Sequence, residues 1–159
     1  MEKFDVILPI GISGSGKSTW IKSLESSGYT VVSPDDIRRE ITGNVSDQTQ
    51  NKLVFKIAYA RMFDILDNGG SVIFDATNVN TMNRVKMCQA IWNHKHNAKI
   101  GYKLFDGDVD LSYERITNDI NNGVDRSNVP LHALQRQYAN YQHTIEQINS
   151  ENLINIDAL

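Results

Sequence analysis

The chain has 159 residues, 40% of them hydrophobic and 22% charged, which is the make-up of one globular domain. A chain of this length buries about 70% of its unfolded surface, enough for a core without staples. Its net charge of −3 excludes the broad basic face of a duplex-binding protein, but not a small basic funnel.

In chain order, residues 4–10 are a short apolar run rich in branched side chains, and read as a first strand. A glycine-rich turn follows over 11–16, then a helix over about 17–26 that Gly28 ends. Residues 29–32 are a second strand, and Pro34 and Asp35 open a short helix through Arg38, Arg39 and Glu40. Ser46 or Asp47 is positioned to cap a long helix whose Val54, Ala58, Met62 and Ile65 recur at helical spacing. Asn68-Gly69-Gly70 stops it. A third strand spans 71–74. Thr81 is expected to cap the next helix, with Val85, Cys88, Ile91 and Trp92 on its inner side. Residues 99–105 are a fourth strand, 111–121 a helix and 122–129 a polar, glycine-containing loop. Pro130 starts a helix through Leu134, Tyr138 and Tyr141, and 153–156 form the last strand. Strands alternating with helices imply an α/β fold, a five-stranded parallel sheet with helices on both faces, as one domain over 1–159. The lone cysteine, Cys88, permits no intrachain disulfide and fits a reducing cytoplasm. No signal peptide and no apolar run of roughly 20 residues is present, so no membrane role is expected.

Ligands of such sheets bind beyond the carboxyl ends of the strands. The segments after Ile10, Val32 and Phe74 should therefore meet in one cleft. Gly11-Ile12-Ser13-Gly14-Ser15-Gly16-Lys17-Ser18 fits the phosphate-loop pattern G-x-x-x-x-G-K-S/T at every position, between a predicted strand and a predicted helix. Its glycines let backbone N–H groups point inward, and the helix start adds partial positive charge. Lys17 should reach the β- and γ-phosphates of ATP, Ser18 should ligate Mg²⁺, and Thr19 continues the cradle. Asp35 follows the second strand, where a carboxylate facing the γ-phosphate accepts a proton from an attacking hydroxyl. Arg38, one turn on, suits an anionic acceptor. Asp75 ends the third strand, where a carboxylate supports the magnesium shell, and Thr77 and Asn78 stand where they could bond the acceptor or orient Asp75. Arg115 and Arg126 flank the predicted loop, and a mobile arginine there could close over the phosphates. Asn51-Lys52-Leu53-Val54 lacks the Asp of a guanine-reading motif, and His94 and His96 are two residues apart, a poor spacing for a metal on a helix.

These residues together resemble the kinase domain of phage-type polynucleotide 5′-kinases, members of the P-loop kinase superfamily. The resemblance rests on Gly11 to Trp20, on Asp35-Asp36-x-Arg38, on Thr77-Asn78 and on the flap before Val129-Pro130. It implies a five-stranded parallel sheet with a short lid over about 118–129. It also implies Asp35 as general base, Arg38 on the acceptor phosphate and a flap arginine on the donor phosphates. The acceptor would be the 5′-hydroxyl of a nucleic-acid end or a nucleotide. The flap departs from the pattern, with Asn118, Asp119 and Asn122 where arginines are usual, so Arg115 and Arg126 both remain candidates, Arg126 being favoured by its place in the loop. Gluconate kinases, adenylylsulfate kinases and zeta-toxin-like kinases share the loop. A non-catalytic nucleotide-binding module would be expected to lose Lys17 or the carboxylates, and both are present.

Overall fold

The computed structural model describes residues 3–159. Five parallel strands form one sheet: β1 (Val6–Ile10), β2 (Tyr29–Val32), β3 (Ser71–Phe74), β4 (Ile100–Leu104) and β5 (Ile154–Asn155), in the order β2-β3-β1-β4-β5. Every residue of β1 is buried, as expected of a strand covered on both faces. Side chains alternate across the sheet. Val6, Leu8 and Ile10 enter the larger core with Val72, Phe74 and Ile100, whereas Ile7 joins Phe4, Ile73 and Tyr29 on the opposite face.

Among the described residues six α-helices cover the two faces: α1 (Lys17–Ser23), α2 (Pro34–Thr42), α3 (Asn51–Asp67), α4 (Thr81–His94), α5 (Val109–Asn121) and α6 (Leu131–Gln147). The α3 residues Val54, Ala58, Met62 and Leu66 recur every four positions and are buried against the larger core, with Met87, Cys88 and Ile91 of α4 and Tyr141 of α6. Ile21 of α1 packs on the other face. Gly101 lies directly under Phe4, where a β-carbon would come within 2.8 Å of the ring. Among the described residues no helix is long and apolar enough to cross a membrane.

Several local expectations are corrected. α1 ends at Ser23 and hands over to one 3-10 turn, Glu25–Ser27, before Gly28. Neither Ser46 nor Asp47 caps α3, which begins after Gln50 with no side-chain cap. Asp47 instead closes a local turn by accepting from Thr49 N–H and Oγ1. The cap of α4 is Asn80, which accepts from Asn83 N–H at 2.9 Å, while Thr81 accepts from Arg84. Arg84, not Val85, takes the inner face of α4. Its guanidinium is held by Glu151, with Nε–Oε1 2.8 Å and Nη2–Oε2 2.7 Å, and by the Asn78 carbonyl. Of the expected lid, residues 118–121 complete α5, and the irregular stretch is 122–130. His94 stacks on Phe63 and contacts Asp67, and no cluster of potential metal ligands occurs among the described residues.

Candidate functional site

The chain leaves β1 at the middle of the sheet, with β3 on one side and β4 on the other. That is the crevice where open parallel sheets bind ligands. A cleft of about 1140 Å³ opens there, lined by the phosphate loop, the start of α2, the end of β3 and residues of the lid.

Gly14 and Gly16 have φ of 77° and 98°, the left-handed region that glycine tolerates. The first amides of α1, at Lys17, Ser18 and Thr19, have no partner within the helix and lie on the cleft. Gly11 shapes the loop rather than lining the cleft, since a β-carbon there would lie 2.9 Å from the Phe105 carbonyl oxygen. Lys17 is buried and curls back, its Nζ donating to the carbonyls of Gly11 at 2.8 Å and Ile12 at 2.6 Å. Burial pushes its ammonium down to about 8, Asp75 and Asp35 oppose that, and Arg126 adds to it. Asp75 shifts the other way: burial raises its carboxyl, Lys17 lowers it, and Asp35 and Asp36 raise it further. Lys17 thus faces Asp75 and Asp35 across a cleft that also holds Arg126.

Both candidate flap arginines, Arg115 and Arg126, line the cleft. Arg126 Nη1 donates to Asp119 at 2.7 Å, but Arg126 Nε is buried with no hydrogen-bond partner among the described residues. A buried donor without a partner is costly, and this one belongs to a cation that also depresses the Lys17 ammonium. Arg115 approaches from the other side, donating to the Gly14 carbonyl at 3.2 Å. It lines both the main cleft and a second cavity of about 550 Å³ behind the loop, with Ser15, Asp106, Gly107 and Tyr138.

The start of α2 is fixed by Ser33, whose Oγ accepts from Asp36 N–H at 3.2 Å, with Pro34 in the first turn. Pro34, Ile37 and Arg38 form the buried stripe of α2; Asp35, Asp36 and Arg39 form the stripe that lines the cleft. Arg38 therefore does not reach the cleft wall as expected. It is 4% exposed, donates to Asp35 Oδ1 at 2.5 Å, and binds Asn51 Oδ1 through Nε at 3.2 Å and Nη2 at 2.9 Å. Asp35 keeps its half-exposed carboxylate in the cleft. Asn78 is likewise withdrawn: with φ 55°, its Nδ2 donates to the carbonyls of Pro9, Phe74 and Ala76, clasping β1 to β3. Ser13, Gly14, Gly16, Ser18, Thr19, Asp75 and Thr77 do line the cleft.

Three contributors escape sequence reasoning. Gln137 of α6 accepts from Ser13 N–H at 2.9 Å, so the last long helix braces the loop. Arg39 and Asp125 meet across the cleft mouth. No local pattern marks any of them; the i,i+4 spacing from Asp35 was the one available hint for Arg39.

Sheet order, phosphate loop and cleft define a P-loop kinase fold. The AAA domain family model matches residues 6–144, and the chain belongs to that family. It is 31% identical over 124 residues, 69% of the chain, to a protein of Autographa californica nuclear polyhedrosis virus named as a bifunctional polynucleotide kinase/RNA ligase. Among solved structures it resembles a chain of the Pnkp1/Rnl/Hen1 RNA repair complex, with TM-score 0.72 and 23% identity over 92% of this chain. A gluconokinase from Sinorhizobium meliloti 1021 shares the fold, with TM-score 0.56 and 18% identity over 97% of this chain and 83% of that one. The chain spans 17% of the viral protein and 47% of the repair-complex chain.

Proposed function

We propose that the protein transfers the γ-phosphate of ATP to the 5′-hydroxyl of a nucleic-acid end or a nucleotide. The observation that carries this reading is the cleft's charge layout: a buried, unpaired Arg126 Nε beside Lys17 on one wall, and the Asp35 carboxylate on the other. The cations and loop amides fit a triphosphate. Arg115 stands between that cradle and the rear cavity, which has room for the donor's base. Mg²⁺, when bound, would be held at Ser18 with Asp75 behind it, and would neutralise charge on the β- and γ-phosphate oxygens.

Asp35 takes the proton of the acceptor hydroxyl as its oxygen bonds to the γ-phosphorus, while the bond to the β,γ-bridging oxygen breaks and ADP leaves. Lys17 and Arg126 stabilise the charge that shifts to the leaving oxygen. Arg38 acts through Asp35, fixing the carboxylate that it bonds, and Asn51 fixes Arg38. A cytoplasmic site of action fits the lone thiol, Cys88, which is buried.

Transfer of labelled γ-phosphate to 5′-hydroxyl DNA ends, RNA ends, nucleoside 3′-phosphates and gluconate tests this. Labelling of ends and nucleotides is expected. Labelling of gluconate with none of the nucleic-acid acceptors would overturn the reading in favour of a small-molecule kinase.

A further inference from the structure

The connection between β3 and α4, residues 75–80, carries two side chains of the cleft wall, Asp75 and Thr77, yet belongs to no helix or strand. Its backbone is held from two sides instead. Toward the sheet, Asp75 N–H donates to the Val32 carbonyl at 2.9 Å. The Thr77 carbonyl accepts from the N–H of Gly11, the first residue of the phosphate loop, at 3.0 Å. Asn78 follows at φ 55°, in the left-handed region that only glycine visits freely.

From behind, Arg84 Nη1 donates to the Asn78 carbonyl at 2.8 Å, and Thr144 Oγ1 of α6 donates to the Val79 carbonyl at 3.0 Å. Arg84 also donates to Thr144 Oγ1 at 3.1 Å and to Thr81 Oγ1 at 3.3 Å. Its Nε and Nη2 grip the two oxygens of Glu151, which follows α6, at 2.8 Å and 2.7 Å. These five bonds occupy the five N–H groups of a guanidinium. The side chains of Arg84 and Glu151 are 0% and 7% exposed, and neither lines the cleft. A buried ion pair is often no more stabilising than apolar side chains of the same volume. What this one supplies is direction: Glu151 orients the fork, and the fork fixes the far end of the turn that carries Asp75.

We propose that Arg84, oriented by Glu151, is a positioning residue for Asp75, a role that rests on the phosphoryl-transfer reading above. By holding the turn beneath the phosphate loop, it keeps the Asp75 carboxylate behind Ser18 and so sets the affinity of the nucleotide site for Mg²⁺.

The test titrates Mg²⁺ into the protein with a fluorescent ATP analogue, no acceptor present, and reads the half-saturating metal concentration. Arg84→Lys keeps the charge opposite Glu151 but not the fork. It should raise that concentration about five- to tenfold, below the roughly 10- to 100-fold of losing a group that bonds a metal ligand directly. Thr144→Val frees the Val79 carbonyl and one Arg84 donor at similar volume. It should raise the midpoint about two- to threefold, and it decides the matter if Arg84→Lys does not fold. Analogue binding without metal should stay within about twofold of wild type, because neither residue lines the cleft. In an Asp75→Asn background neither change should move the midpoint further, since both act through that carboxylate. A pair that only supports the fold would lower the melting temperature and leave the midpoint at its wild-type value. That result, shifts that add to that of Asp75→Asn, or binding to wild type that is independent of Mg²⁺ overturns the proposal. The expected shifts in a protein that labels no 5′-hydroxyl acceptor would defeat the kinase reading and leave the positioning role standing.

Discussion

Lys17 gives the protein one source of pH dependence at the scale of single residues. Its ammonium is held at about 8 by burial, against an ordinary 10.5 in the unfolded chain. Between those two values the unfolded chain binds more protons, so this group's contribution to stability rises with pH through that window. Below pH 8 both states are charged, and the folded state bears the full burial penalty. Lys17→Met should therefore melt above wild type at pH 7 without nucleotide, and the gap should narrow as the pH approaches 10.5. Its turnover should fall by at least about a hundredfold, because methionine supplies no charge to the phosphates. Bound triphosphate restores a partner to Lys17, so ATP binding near pH 8 should take up protons, measurable by calorimetry in buffers of different ionisation enthalpy. Asp35→Asn should cut the rate by about 10² to 10⁴ and leave ATP affinity intact. Asn51→Ala, which touches neither substrate, should lower kcat by up to about a hundredfold by loosening Arg38 beneath Asp35. An unchanged kcat in Asn51→Ala would show that Asp35 needs no such support.

Helix α2 shows at the element scale why some residues were legible in the sequence and others were not. Its start was readable because Pro34 and Asp35 suit a first helical turn; the structure adds the cap, Ser33, whose Oγ accepts from Asp36 N–H. Ser33→Ala should cost about 1 kcal/mol in urea unfolding. Which stripe faces inward was not readable. Ile37, at 1% exposure, turns α2 so that Arg38 is buried and Arg39 lines the cleft. Spacing alone could not choose between neighbouring arginines, since both lie within a turn of Asp35. The caps of α3 and α4 failed for a related reason. Ser, Thr, Asp and Asn near a helix start compete for the same donors, and only local geometry selects Asn80 over Thr81. The strands were legible because short runs rich in branched and aromatic residues, bounded by turn residues, fit few alternatives. Leu8→Ala in the central strand should cost about 2–5 kcal/mol, read from the shift in the denaturation midpoint.

The lid couples the molecule as a whole, because it lies between two anchored helices. α5 ends at Asn121, and α6 is braced at the phosphate loop by Gln137 and near its other end by Thr144, which bonds Val79 and Arg84. Residues 122–130 have no regular structure and are tied to α2 and the loop after it by exposed bonds. Their hydrogen exchange should slow with an ATP analogue, as Arg126 Nε gains a phosphate oxygen. Unchanged exchange at saturating nucleotide would show that Arg126 does not close the site. These braces were invisible in the sequence because they join residues far apart in the chain, whereas the phosphate loop is contiguous. That same separation bears on how the chain is made. The phosphate loop hangs from β1, yet β1 pairs only with Val72 and Ile73 of β3 and with residues from Ile100 to Leu104 of β4. A nascent chain on the ribosome therefore carries an unsupported Val6-Ile7-Leu8-Pro9-Ile10 segment until both partners have emerged. The nucleotide cradle thus takes shape only after β3 and β4, which follow it, and until then the most apolar strand is the one most in need of a chaperone's shelter.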